Sequence, residues 1–314
     1  MNNVSEMMSL IISNRKQLAE DIEEFTLTHP DGQQLPSFTP GSHITIVTPG
    51  GASRRYSLVN DGNEPNHYTI AIKRETSSRG GSISMHDQAK EGTTLMVGSP
   101  ENEFELVTAP KYLLIAGGIG ITPILAMARH LKAEGTPFKL VYCTRSPEET
   151  AYLTEVSDLQ NAYIHHDNGD FNKFYDFWDH FEVPSEEHVY CCGPAPMMEE
   201  IKAVSGHWPE GRVHFEDFNG VDAVREDDTP FTIRLKESGR EVFVPADRTI
   251  LEALRDAGEN IVSSCESGTC GTCKCRLIEG EVDHRDLVLL DDEKNDFIML
   301  CVSRAKSGEL VVDL

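Results

Sequence analysis

Residues 265–273 read CESGTCGTC, and a fourth cysteine, Cys301, follows after 27 residues in MLCVS. The spacing C-x4-C-x2-C with a lone cysteine downstream is the ligand pattern of a plant-type [2Fe–2S] cluster. Each iron needs two thiolates, so Cys265, Cys270, Cys273 and Cys301 are the expected ligands. A short loop must wrap the cluster with its backbone N–H groups facing inward, and Gly268 and Gly271 give that loop the freedom to do so. The competing readings are zinc and disulfides. A zinc ribbon uses two well-separated C-x2-C pairs, whereas here three cysteines crowd together and one stands alone. Cys275 lies two residues past the third ligand and is spare; Cys143, Cys191 and Cys192 fall in apolar runs, where cysteine is usually a small buried hydrophobe. Such a cluster moves single electrons and forms no product itself, so the rest of the chain must contain their source.

With 314 residues and 39% hydrophobic content, the chain can build two or three ordinary cores. No apolar run approaches membrane-spanning length, so no membrane association is expected. The N-terminus lacks a basic start followed by an apolar core, which predicts no secretory signal. Eight cysteines without such a signal point to the reducing cytoplasm. A net charge of −24 argues against nucleic acid as a partner, because phosphate binding needs a basic surface. Part of the acidic excess falls on the C-terminal third, where it either confers solubility or forms an acidic face that steers a basic redox partner.

Outward from the cysteines, three segments differ in rhythm. Residues 1–107 carry short alternating runs such as 43–47 and 68–72 between Gly and Pro clusters, predicting a small antiparallel barrel. Residues 108–222 run from a buried strand at 112–116 through a glycine turn to a helix at 123–132. Strands at 139–143 and 188–192 follow, which predicts a parallel α/β sheet. Residues 223–229, within a polar, acidic stretch that begins at Asn219, read as a linker. Residues 230–314 return to short strands, 231–235 and 241–244, then a helix over 249–257 and the cysteine loop.

Each segment holds a motif that is weak alone. In the first, Arg54, Tyr56 and Ser57 sit on a strand, and Arg79, Gly80, Gly81 and Ser82 open a helix-like stretch. A helix N-terminus with glycines can bind phosphate through bare N–H groups, and a strand arginine adds charge. The plainer reading is strand packing plus a helix cap at Ser82. In the second, AGGIGITP at 116–123 follows a buried strand. Its glycines permit a tight turn and close approach of a pyrophosphate, and Pro123 suits the first position of the next helix. Cys192, Gly193 and Pro194 end a later strand, where ligands sit in open α/β sheets; by itself Cys192 reads as a buried cysteine before a turn.

The order of these parts resembles the phthalate dioxygenase reductase family over essentially the whole chain. These are the single-chain reductases of Rieske-type oxygenases, including those of vanillate demethylase and carnitine monooxygenase; related reductases place the ferredoxin at the N-terminus. The resemblance implies a flavin-binding antiparallel β-barrel, an α/β nucleotide-binding domain and a C-terminal β-grasp ferredoxin. It implies that Arg54 serves the flavin phosphate, Tyr56 packs on the ring and Ser57 lies near N5, with Arg79, Gly80, Gly81 and Ser82 as the phosphate cradle. Gly118, Gly120, Thr122 and Pro123 would line the nicotinamide nucleotide, with Cys192, Gly193 and Pro194 beside the nicotinamide. Phe218 would shield the flavin, against the alternative of a packing phenylalanine at a domain end.

The short segment after Ser82 fits FMN rather than FAD. NADH is the expected donor, although Arg145, beside Thr144 after the second strand, could meet the 2′-phosphate of NADPH. The implied function is electron transfer from NADH through flavin and cluster to a separate oxygenase. A reductase for another acceptor and a [2Fe–2S] redox sensor are the alternatives. The oxygenase substrate is not legible in this chain.

Overall fold

The computed structural model describes residues 7–63, 65–76, 80–218, 223–225, 227–263, 266, 268, 271–306 and 308–314. Alternation sets the first sheet. On β1 (Met8–Ala19) Leu10 and Ile12 are buried between more exposed neighbours, and on β2 (Ile22–Thr28) Ile22, Phe25 and Leu27 are buried. With β3 (Ser42–Val47), β4 (Ser53–Ser57) and β5 (Tyr68–Lys73), then helix α1 (Gly81–Gln88), β6 (Thr94–Val97) and β7 (Glu101–Asn102), the chain completes a seven-stranded sheet. Its order is β4-β3-β6-β1-β2-β5, with β7 on β3. All pairings are antiparallel. Val59, just past β4, donates its N–H to Thr69 O on β5 at 2.9 Å, bringing the two ends of the sheet together as a barrel around Phe25, Ile44, Tyr68 and Ile70.

The second sheet begins with β8 (Tyr112–Gly117), buried at every position, as a central parallel strand covered on both faces should be. Next come α2 (Ile121–Glu134), β9 (Phe138–Thr144), α3 (Leu153–Ser157), β10 (Ala162–His166), α4 (Trp178–Phe181), β11 (His188–Cys192), α5 (Ala195–Val204) and β12 (Val213–Glu216). The sheet is parallel with order β10-β9-β8-β11-β12. The chain first moves outward from β8 on one side, then returns to the other at β11. The crevice above the C-terminal ends of β8 and β11 is therefore the switch point where open α/β sheets bind ligands. α2 stops at Gly135, whose φ of 70° lets its N–H turn back to Leu131 O.

Barrel and parallel sheet share one core: Ile22, Val59 and Ala71 from the first pack with Leu114, Ile121, Leu125 and Tyr142 from the second. Two tyrosines brace the connection. Tyr190 Oη accepts from Val107 N–H (2.8 Å) and donates to Glu105 O (2.9 Å); Tyr112 Oη accepts from Ala109 N–H (2.8 Å) and donates to Val107 O (2.7 Å). Arg129 donates to Val59 O at 2.6 Å, and Tyr152 to Glu24 Oε2 at 2.8 Å. The chain through Phe218 is accordingly one compact unit, and residues from Asn219 onward form a second.

The second unit contains β13 (Phe231–Leu235), β14 (Glu241–Val244), α6 (Ile250–Asp256), β15 (Lys274–Glu279), β16 (Val282–Asp283), β17 (Phe297–Met299), β18 (Arg304–Ala305) and β19 (Glu309–Val312). Its main sheet has the mixed order β14-β13-β19-β15-β17, parallel only between β13 and β19. α6 starts at a capping box, with Glu252 N–H on Thr249 Oγ1 (3.1 Å) and Thr249 N–H on Glu252 Oε2 (3.0 Å). The expected linker contains no helix or strand among its described residues, yet it is tied down. Ala223 is buried in the core of this unit. Asp228 lies buried between Arg285 (2.5 Å) and Arg304 (3.4 Å). Composition hid this because a lone aspartate gives no sign of the arginines that it will meet.

Candidate functional site

The strand β4 carries Arg54, Tyr56 and Ser57, paired to Ile46, Ile44 and His43 of β3. Ser57 is buried and Tyr56 half-buried, and burial pushes the Tyr56 hydroxyl to an elevated pKa. Arg54 reaches across to helix α1. A Cβ on Gly81 would stand 2.9 Å from both Cγ and Nε of Arg54, so only glycine lets the guanidinium stem lie on the helix start. Gly80, at φ 82°, turns the chain into that helix. Ser82 is not the cap, as its string suggested. The helix begins one residue earlier, and the Ser82 hydroxyl accepts from Glu75 N–H at 3.1 Å, holding the preceding loop. Arg79 lies outside the described residues.

At the switch point, two turns interlock through glycines. A Cβ on Gly120 would meet Cys192 O at 2.2 Å and Gly193 N at 2.8 Å; one on Gly117 would meet Pro194 Cδ at 2.5 Å; one on Gly193 would meet Met197 Cε at 2.3 Å. Gly118 differs: its φ is 52° and its Cβ position faces open space. The Gly118 carbonyl is braced from below by Tyr142 Oη at 3.1 Å. Thr122 is buried and donates to Ile119 O at 3.1 Å. Pro123 stands third, not first, in α2, still within the turn where a missing N–H is harmless. Thr144 ends β9 with its hydroxyl turned inward to Thr150 Oγ1 (2.7 Å) and His166 Nδ1 (2.9 Å). Beside it Arg145 is exposed.

Cys192 is wholly buried, and burial, reinforced by the nearby Glu216 carboxylate, holds its thiol well above the usual range. Glu216 is paired with Cys192 in the β11–β12 register. Its Oε2 is buried with no hydrogen-bond partner among the described residues. Burial pushes this carboxyl up to about 8, against the opposing charge of Arg55 and with the help of Glu103. The motifs did not single out Glu216; an acidic residue ending the short strand Val213–Glu216 was the signal available. Phe218, two residues on, is 43% exposed, so it is not a core phenylalanine.

In the second unit, Cys273 and Cys301 are 4% and 1% exposed. The N–H of Leu300 donates to Cys273 O at 3.3 Å, which sets the two cysteine-bearing segments side by side. Cys265 and Cys270 lie outside the described residues. Gly268 and Gly271 have φ of 78° and 80°, and Glu266 is also left-handed at 52°. Its buried carboxylate is held by Arg255 (2.6 Å) and Ser263 (2.8 Å), which fixes the loop against α6.

The residues suit the groups that the motifs imply. Arg54 over a glycine-lined helix start suits a phosphate, the turn at Gly118 leaves open backbone at a switch point for a dinucleotide, and the buried Cys273 and Cys301, on segments set side by side next to a loop with left-handed Glu266, Gly268 and Gly271, suit iron. Comparison with known proteins agrees. Residues 9–106 match the oxidoreductase FAD-binding domain, residues 114–176 the oxidoreductase NAD-binding domain and residues 233–306 the 2Fe-2S iron-sulfur cluster binding domain. The chain is thus an oxidoreductase with flavin, pyridine-nucleotide and [2Fe–2S] domains in that order.

It is 51% identical over 313 residues to the phthalate dioxygenase reductase of Burkholderia cepacia, covering 98% of this chain and 97% of that one. It is 38% identical to the vanillate O-demethylase oxidoreductase of a Pseudomonas strain, covering 98% and 100%. A solved phthalate dioxygenase reductase, described as a modular structure for electron transfer from pyridine nucleotides to [2Fe-2S], superposes with a TM-score of 0.88 over 98% of both chains at 51% identity. The chain belongs to the phthalate dioxygenase reductase family.

Proposed function

We propose that this chain is the reductase component of a two-component Rieske-type oxygenase system, carrying electrons from NADH through FMN to its [2Fe–2S] cluster and on to a separate oxygenase. The observation that carries this reading is the family's whole order of parts on one chain, with the glycine interlock and the Cys192–Glu216 pair at the switch point between β8 and β11. When bound, the flavin would supply two-electron hydride chemistry and the cluster one-electron transfer.

The residues do the positioning. Arg54 and the N-terminus of α1, with Gly80, Gly81 and Ser82 and with Arg79, hold the flavin phosphate. Tyr56 packs on the ring and Ser57 stands near its reactive edge. Gly118, Gly120, Thr122 and Pro123 admit the pyrophosphate; Thr144 shapes the end of β9 from within, and Arg145 offers an exposed charge to the nucleotide. Cys192 stays a neutral thiol beside the nicotinamide with Gly193 and Pro194. Glu216 keeps its proton below about pH 8 and so adds no charge where hydride moves. The exposed ring of Phe218 would shield the flavin. Cys265, Cys270, Cys273 and Cys301 hold the iron.

FMN is favoured over FAD because only β6, β7 and short turns separate α1 from β8, leaving no long loop for an adenine half. We divide the chain at 1–107, 108–222 and 230–314, with 223–229 joining the last two parts. The cytoplasm suits eight cysteines of which four hold a cluster. Among the described residues no helix is long and apolar enough to cross a membrane.

Anaerobic titration with NADH, followed by visible absorption and low-temperature EPR, tests the reading. Flavin bleaching together with a reduced [2Fe–2S] signal is expected. A bleached flavin beside a cluster that stays oxidised would refute the internal chain and favour a sensor or another acceptor. Reduction by NADPH alone would reassign the donor and make Arg145 the residue to replace.

A further inference from the structure

The cluster loop carries a glutamate where its backbone favours glycine. Glu266 has a φ of 52°, in the same left-handed region as Gly268 and Gly271. Glycine adopts that angle freely, whereas a residue with a Cβ is strained there. The side chain accounts for the choice. Its carboxylate is buried, and Oε1 accepts from Arg255 Nη1 at 2.6 Å and from Ser263 Oγ at 2.8 Å. Arg255 stands in the last turn of α6, a helix fixed at its other end by the capping box. Its second arm donates to Ser263 Oγ and to Ile261 O at 3.3 Å. One arginine thus gathers Ile261, Ser263 and Glu266, on both sides of Cys265 in the sequence.

The potential of an iron–sulfur cluster depends on its net charge, on hydrogen bonds to its sulfurs and on its exposure. One-electron reduction adds a negative charge. A buried carboxylate one residue from a ligand opposes that charge, and a guanidinium on the same carboxylate offsets the opposition. Both effects count for more inside a protein than in water. We infer that Arg255 and Glu266 are a charge-balanced pair that sets the reduction potential of the cluster as well as anchoring its loop. This rests on the functional reading above, in which Cys265 is a cluster ligand. The two charges act with opposite sign and unequal weight. The Glu266 side chain is 7% exposed and that of Arg255 35%, so water and salt screen the arginine more than the carboxylate. A glycine at 266 would relieve the backbone but remove the negative member of the pair and leave Arg255 unbalanced.

The test is an anaerobic redox titration of the full holoprotein, with the reduced cluster read by low-temperature EPR. Glu266→Gln is expected to raise the equilibrium constant for one-electron reduction about tenfold, a shift of about 59 mV upward. Arg255→Gln is expected to lower it by about threefold. The double variant is expected to return to within about threefold of wild type, because the opposed effects offset each other. Glu266→Gly keeps the left-handed backbone without strain, and it is expected to shift the potential upward as Glu266→Gln does. The Glu266 variants decide the matter even where loss of Arg255 frees the loop to shed its cluster. An unmoved potential in both of them would overturn the proposal and leave the pair a mechanical anchor. Shifts of the same sign in Glu266→Gln and Arg255→Gln would overturn it too, since a loop that merely loosens does not distinguish the two charges. A wild-type protein that shows no reduced [2Fe–2S] signal would instead overturn the functional reading on which the proposal rests.

Discussion

Replacing Gly120 by alanine tests the interlock directly. The backbone of Gly120 sits at φ −60°, ψ −5°, a conformation alanine adopts freely, so local propensity predicts no penalty. Packing predicts otherwise. The new methyl would lie 2.2 Å from the Cys192 carbonyl oxygen and 2.5 Å from its carbon, atoms of a strand that cannot swing aside. Restoring ordinary separations of about 3.5 Å demands that the start of α2 and the end of β11 part by roughly 1 Å. Overpacking of this kind costs about 1–3 kcal/mol, hence a fall in Tm of roughly 2–10 °C for a unit of this size. The effect on chemistry should be larger, because a 1 Å misplacement of reacting groups can cost about 100-fold. The control is Gly118→Ala, where φ is 52° and space is open: about 1–2 kcal/mol of backbone strain and no clash. Thermal melts and stopped-flow bleaching of the flavin by NADH separate the two. If Gly120→Ala bleaches as fast as Gly118→Ala, the interlock does not position the nucleotide.

Three other expectations follow from particular contacts. Cys273→Ser should leave bleaching of the flavin by NADH intact while delivery to the oxygenase falls to background; unimpaired delivery would sink the proposed electron path. Glu216→Gln should stabilise the protein increasingly as pH rises from about 4.3 towards 8. The folded wild type keeps a proton over that range that the unfolded chain has lost, a penalty on the order of a few kcal/mol at pH 8. Denaturant midpoints at pH 5 and pH 8 measure this, and a difference independent of pH would exclude a raised carboxyl. Asp228→Asn should weaken the second unit by about 1–3 kcal/mol, since it removes the charge facing Arg285 and Arg304, while Arg285 keeps Asp283 at 2.7 Å and Arg304 its backbone carbonyls. Burial pushes Asp228 upward, but hydrogen bonds and charge from Arg285, with help from Arg225 N–H and Arg304, leave it below the usual carboxylate range. The pair's contribution is therefore present above about pH 4 and lost below. Calorimetry with separate flavin and cluster signals should show only the second unit's transition move.

The sequence was most legible where local chemistry acts alone. The strands at 188–192, 231–235 and 241–244 lie where alternation or apolar runs put them, because burial on a sheet leaves a period that a reader can count. The capping box at Thr249 likewise writes its own start signal. Features made by distant segments were not legible. Nothing in the string at Ser82 says that its hydroxyl will hold Glu75, and nothing at Thr144 says that its hydroxyl will turn towards His166. Glycines were the intermediate case. Gly118 and Gly120 look alike in AGGIGITP, yet one is needed for its backbone angle and the other for a neighbour more than seventy residues away.

The braces that Tyr190 and Tyr112 place on residues 105–109 make the chain's two joints unequal. Cutting after residue 107 would strip the barrel's Ile22, Val59 and Ala71 from the core they share with Leu114 and Leu125, leaving both fragments with wet apolar faces. Beyond Phe218 the chain enters a second compact unit with a core of its own, around Ile233, Leu254 and Ile298. A genome that recombines redox parts could therefore move the flavin–nucleotide half as one cassette and exchange the iron–sulfur piece behind it, but it could not trade barrel and sheet independently without rebuilding the seam between them.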